Sequence, residues 1–250
     1  MNLLPTATST DVEEQQPRVA VLPIGSFEQH GRCLPLITDT AIACIIAREI
    51  ADAYPVHLLP PVTMSCSHEH GSWPGTVSIS AKTLFAVIED IRASLARSDI
   101  EKLVIVNGHG GNYVLSNVVQ EANVDGPCMS LFPLSSDWER ARQHGGLVSD
   151  RHGDMHAGEV ETSLLLHAAP ELVRPGYENA DHDGGARRFL LTLGMGAYTD
   201  SGVIGYPSHA TAAKGEAVLA SLTDTFAEHL KALGEPSAGL SPARLSERPA

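Results

Sequence analysis

Four apolar runs, at 19–24, 56–62, 103–106 and 128–132, alternate with stretches of helical apolar spacing at about 40–53, 82–97, 112–123 and 136–144. Short continuous apolar runs suit strands buried on both faces. Their alternation with helices predicts βαβ units around a mainly parallel sheet. A further helix pattern puts Glu161, Leu164, Leu165 and Ala168 on one face, the face that should be buried, while Glu159 points elsewhere. Thr211–Leu233 reads as a final helix. The expectation is an α/β, single-domain, three-layer fold spanning 18–233, with no internal repeat and no second domain. A polar, acidic, flexible segment precedes it at 1–17, and a Pro-, Ser- and Arg-rich tail at 234–250 should be disordered. The Gly- and Asp-rich stretch 176–207 is expected to be a long excursion near the functional site, as a lid or a subunit contact.

The polar residues that follow the predicted strands carry the chemistry. Glu28 and His30 come just after the strand Arg18–Gly25, and residues two apart in extended chain project to one side. Asp39 stands directly before an apolar-periodic run, where an acidic residue is ordinarily an N-cap. Glu, His and Asp within twelve positions exceed what capping requires. His109 follows the strand Leu103–Val106 inside Asn107-Gly108-His109-Gly110-Gly111-Asn112, a glycine-rich turn. Phosphate binding is the weaker reading of that turn, because neither GxGxxG nor GxxxxGK[ST] is present. In open α/β sheets ligands bind outside the carboxyl ends of the strands, and mixed N/O donors suit divalent ions. These residues are therefore candidate metal ligands.

A third group precedes the helix pattern near 160. Glu161 on a core-facing stripe is costly unless paired or metal-bound, whereas Glu159 can answer the helix dipole from the first turn. His156 is a candidate general acid/base, with Asp154 as the group that fixes its tautomer. In the polar cluster 65–76, His70 and Ser72 are candidate substrate hydrogen-bond partners and Trp73 an apolar wall. The histidines at 57, 144, 152 and 182 read as surface groups.

Composition narrows the setting. The chain has 250 residues and a formal net charge of −13, which disfavours a nucleic-acid surface and membrane adhesion through basic patches. No apolar run approaches the roughly 18 residues needed to span a bilayer, and residues 1–17 lack a targeting pattern. A cytoplasmic location is expected. Cys33, Cys44, Cys66 and Cys128 are scattered without CxxC spacing, which fits a reducing compartment and no cysteine-based zinc site.

Gly25-Ser26-Phe27-Glu28-Gln29-His30-Gly31, Leu34-Pro35-Leu36-x-Thr38-Asp39, the Asn107–Asn112 turn and His156-Ala157-Gly158-x-x-Glu161-Thr162-Ser163 resemble, in order, the motifs of the creatininase (creatinine amidohydrolase) family. The resemblance covers roughly 18–232. It implies a creatininase-like fold, a dinuclear metal site and a hydrolase acting on carbon–nitrogen bonds other than peptide bonds. By that resemblance Glu28 and His109 would hold one ion, His30 the other, and Asp39 would bridge them. His156 matches the family's proton-transfer histidine. The ions expected are two per chain, Zn with Zn, Mn or Fe, and the assembly a homo-oligomer, a hexamer by resemblance. The implied mechanism is attack on an amide by a metal-bridged hydroxide.

Two departures from the family pattern matter. Gly111 stands where creatininase proper carries the carboxylate that completes the second metal, and Glu161 is the candidate replacement. Arg32 and Cys33 stand where the family carries Pro and His, which argues against creatinine itself. Gly111, Glu69-His70 with Pro74-Gly75-Thr76, and Ser201-Gly202-Val203-Ile204-Gly205 are similar to a branch that trims the mycofactocin precursor peptide. A small neutral, possibly cyclic, amide is the first-ranked substrate and a peptide C-terminus the second. A binding protein that has lost turnover is the alternative from another class.

Overall fold

The computed structural model describes residues 4–237. Its strands are β1 (Val19–Ile24), β2 (His57–Leu58), β3 (Lys102–Asn107) and β4 (Met129–Phe132). The helices are α1 (Ser9–Gln15), α2 (Thr38–Ala53), α3 (Ala81–Ala96), α4 (Val114–Ala122), α5 (Ser135–His144), α6 (Glu159–Ala168), α7 (Leu190–Leu193) and α8 (Ala212–Ala232). All strands run parallel in the order β2-β1-β3-β4, with Ala20 opposite Leu103 and Val104 opposite Ser130.

Alternation along the two central strands builds two cores. Val19, Val21, Val104 and Val106 face a layer containing α2, α6 and α8. Ala20, Leu22, Leu103 and Ile105 face the layer of α3 and α4. The result is the expected three-layer α/β fold, in which central strands are apolar on both faces because helices cover both. The 56–62 run forms only a two-residue strand plus a single bridge from Val62 to Ile24. Pro60 and Pro61 interrupt it, since proline has no N–H to donate to a ladder.

Three sequence expectations need correction. Within the segment expected to be flexible, Ser9–Gln15 is a helix with a capping box between Thr8 and Asp11, and Val12 packs on the α3/α4 core. Of the tail, residues 238–250 lie outside the described residues. His182 is half-buried and donates from Nε2 to the Tyr198 carbonyl at 2.8 Å, and His57 is half-buried on β2, while His144 and His152 are exposed as expected.

The third correction is Glu159. It is fully buried in the first turn of α6. Its carboxylate pairs with Lys214 of α8 at 2.5 Å and accepts from the Ser149 and Val148 amides. Helix dipole compensation from the surface does not describe it. Glu159 instead ties α6 to α8 and to the 147–150 loop, and its hydrogen bonds hold its pKa below the ordinary carboxylate value against burial.

Removing one member of a buried pair strands the other. Glu159→Gln should therefore lower stability by about 3 kcal/mol, measured by urea unfolding. Its content of divalent ions should match that of the parent chain.

Candidate metal centre

The loop after β1, the turn after β3 and the start of α6 meet at the carboxyl ends of the central strands. Asp39 is the hub. It lies inside the first turn of α2, one residue past Thr38, and the N-cap position is Ile37, which makes no side-chain cap. The carboxylate is therefore not a cap. It accepts from Ser26 Oγ at 2.8 Å and faces His30 Nε2 and His109 Nδ1, each at 2.9 Å.

Glu28 lies beside it, fully buried. Its Oε2 is 3.2 Å from His109 Nε2, and its Oε1 is 3.2 Å from His70 Nε2 and 3.7 Å from His156 Nδ1. Glu161 approaches from α6. Its Oε2 lies 3.9 Å from His30 Nε2 and accepts from the Ala157 amide at 2.6 Å. The structure thus brings Glu28, His30, Asp39, His109, Glu161, His156 and His70 into one cluster, buried except for the partly exposed Glu161. His70, expected in a substrate wall, is only 2% exposed and belongs to the cluster.

Asp154 does not fill its expected place. Its carboxylate accepts from Arg142 at 2.9 Å and from the amides of Glu159 and Val160. It caps α6 and neutralises Arg142, and His156 is held by Gln29 instead, through the Gln29 carbonyl 2.7 Å from Nε2. Ser72 is exposed and lines a groove of about 490 Å³ with Glu69, Gly111, Tyr113, Leu191 and Leu193. Trp73 stands behind His70, their rings 6.2 Å apart.

Two cluster residues were quoted in motifs but given no role from sequence. Glu69 Oε1 is 3.5 Å from His109 Nε2. A Cβ at position 111 would lie 2.0 Å from that same oxygen, so Gly111 leaves room for the Glu69 carboxylate. Gln29 contacts both His70 and His156. The departure at Gly111 was the available signal for Glu69. The position of Gln29 between two candidate ligands was the signal for Gln29.

Electrostatics shows that the cluster demands positive charge. Burial disfavours a charged His30, yet Asp39, Glu161 and Glu28 outweigh it and push its pKa up to about 10. His109 is pushed up to about 9 by Glu28 and Asp39, again against burial. Burial, and then Asp39, push Glu28 up to about 7. Either protons on the imidazoles or bound cations can answer these carboxylates.

The donor set fits cations. Neither oxygen of Glu28 has a hydrogen bond of good geometry, although both are buried, and a buried carboxylate so placed is costly unless it is paired or metal-bound. His30 Nδ1 sits 3.0 Å from the Glu28 carbonyl and His109 Nε2 2.9 Å from the Cys66 carbonyl. Each ring is thereby oriented by a backbone acceptor, leaving the other nitrogen toward Asp39, as metal-bound histidines are normally held. Two ligand groups share the hub: Glu28 with Asp39 and His109, and His30 with Asp39 and Glu161.

Comparison with known proteins places the chain in a family. The Creatininase family model (creatinine amidohydrolase) matches residues 5–230. A mycofactocin precursor peptide peptidase of Mycobacterium ulcerans (strain Agy99) is 35% identical, covering 88% of this chain and 87% of that protein. A creatinine amidohydrolase of Pseudomonas putida is 26% identical over 62% of this chain and 66% of its own length. Solved structures share the fold. A mutant creatininase gives a TM-score of 0.77 at 20% identity, covering 90% of this chain and 95% of that one. A mutant creatininase of Zn-Zn type gives 0.70 and a creatininase Mn structure 0.71, both at 22% identity with the same coverages. With the family model spanning nearly the whole chain and the motif residues gathered at one site, the chain belongs to the creatininase family.

Proposed function

We propose that this chain is a metal-dependent amidohydrolase that cleaves the carbon–nitrogen bond of an amide. The observation that carries the reading is the sharing of Asp39 between two ligand groups, buried except for the partly exposed Glu161. Glu28, Asp39 and His109 would hold one divalent ion, and His30, Asp39 and Glu161 the other, with Zn and Zn, Mn or Fe as the ions. Bound there, such ions lower the pKa of a water toward neutrality and polarise a substrate carbonyl.

The protein's own groups supply the rest. His156 faces the cluster through Nδ1 while its Nε2 is tied to the Gln29 carbonyl, so one ring atom is free to move a proton to the departing nitrogen. The groove meets the cluster at Glu69 and Gly111, which lets an amide reach it from the open side. Location in the cytoplasm and assembly as a homo-oligomer belong to the same reading. The exposed Phe189, Leu191 and Leu193 support assembly, since clustered apolar side chains tend to mark contact surfaces.

A small amide remains the first reading of substrate. Two observations favour a peptide end as the second. The groove is several times larger than a small cyclic amide requires and has an apolar wall at Val114, Leu191 and Leu193, and the 35% identical relative is a peptidase. Incubation with a panel of small cyclic and linear amides, and with a mycofactocin-type precursor peptide, separates the two. Release of a C-terminal dipeptide without turnover of the small amides would establish the peptide reading.

Two measurements test the hydrolase itself. Elemental analysis of protein purified without chelator should find two divalent ions per chain, and Asp39→Ala should remove both. A parent chain with none would overturn the reading in favour of a lapsed binding protein. Glu161→Gln should retain the fold, lose one ion and lower turnover by roughly a hundredfold or more. Full occupancy of both positions in that variant would show that Glu161 is not a ligand.

A further inference from the structure

Gln29 lies between two proposed ligands, Glu28 and His30, and the reading above gives its side chain no part. The carboxamide is 5% exposed at the residue level and is oriented by two backbone groups. Its Oε1 accepts from the Gly31 amide at 2.9 Å, and its Nε2 donates to the Gly202 carbonyl at 3.0 Å. A backbone N–H only donates and a backbone carbonyl only accepts, so the amide has one allowed orientation. Gly202 is required for this seat. Its φ is +87°, and a Cβ there would lie 1.8 Å from Gln29 Oε1.

The orientation of Gln29 then decides where two protons sit. The second hydrogen on Nε2 points to His70 Nδ1 at 2.9 Å, so that nitrogen must be a lone pair and the His70 proton must be on Nε2, facing Glu28 Oε1 at 3.2 Å. The Gln29 backbone carbonyl lies 2.7 Å from His156 Nε2, so that nitrogen carries the proton and Nδ1 is the free one, facing Glu28 Oε1 at 3.7 Å. Gln29 Nε2 and His156 Nε2, 3.1 Å apart, are then both donors and merely in contact.

We propose that Gln29 is the positioning residue of the site: its side chain, seated on Gly202 of the 199–205 segment, fixes the tautomer of His70, and its main chain fixes that of His156. Resting on the hydrolase reading, the free Nδ1 of His156 takes the proton that leaves the attacking water as the C–O bond forms. It returns that proton to the nitrogen as the C–N bond breaks.

The test uses the zinc-loaded full chain with ¹⁵N-labelled imidazoles, in which long-range ¹H–¹⁵N correlations distinguish the two tautomers. His70→Gln and His156→Gln spectra assign the signals. In the parent chain both residues should carry the proton on Nε2. Gln29→Leu should release His70 to a mixture of tautomers while His156, held by the main chain, stays unchanged and serves as the internal control for folding. Gln29→Glu, whose carboxylate accepts but cannot donate, should move the His70 proton to Nδ1 while the His156 tautomer again stays unchanged. A parent spectrum with the His70 proton on Nδ1 would overturn the proposal, as would a His70 tautomer unchanged in both variants. A chain with the expected tautomers that hydrolyses no amide would overturn the hydrolase reading alone.

Discussion

The burial of two carboxylates, Glu28 and Asp39, among four imidazoles at the ends of β1 and β3, with a third, Glu161, at the edge, is the constraint on which the rest depends. Ionised carboxylates removed from water are costly by several kcal/mol each unless answered by charge and hydrogen bonds. Asp39 is answered by Ser26 and two histidines, whereas Glu28 is enclosed with no well-formed hydrogen bond. A fold that retains such a group at its centre is arranged around positive charge. The three-layer architecture makes the arrangement possible, because helices on both faces exclude water from the strands while the strand ends open onto loops.

Around the cluster, the supporting groups divide by task. Backbone carbonyls of Glu28 and Cys66 orient the two candidate ligand histidines. The Gln29 main chain orients the proton-transfer histidine. Asp154, Arg142 and Glu159 hold the start of α6, and with it Glu161, at the correct depth. Two neighbouring acids on one helix turn therefore do different things. Glu159 anchors the helix to α8, and Glu161 faces the histidines.

Much of this was legible in the sequence because strand and helix periodicities are local. The runs at 19–24 and 103–106 give the central strands, and the residues just past each strand end give Glu28, His30 and His109. What was not legible depends on contacts between distant segments. Asp154 looks like a partner for His156 two residues away, yet Arg142, twelve residues upstream, takes its carboxylate. Glu69 and Gly111 are forty-two positions apart, and their steric relation follows from how two loops meet. The Glu159 ion pair needs Lys214, which periodicity along α6 cannot foresee.

The central claim is that the cations sit on either side of Asp39. Anomalous diffraction from crystals of the zinc-loaded protein, recorded above and below the zinc edge, tests it directly. The account predicts two peaks, one among Glu28, Asp39 and His109 and the other among His30, Asp39 and Glu161. A cluster without peaks in crystals grown with zinc, or peaks confined to surface histidines, would contradict it.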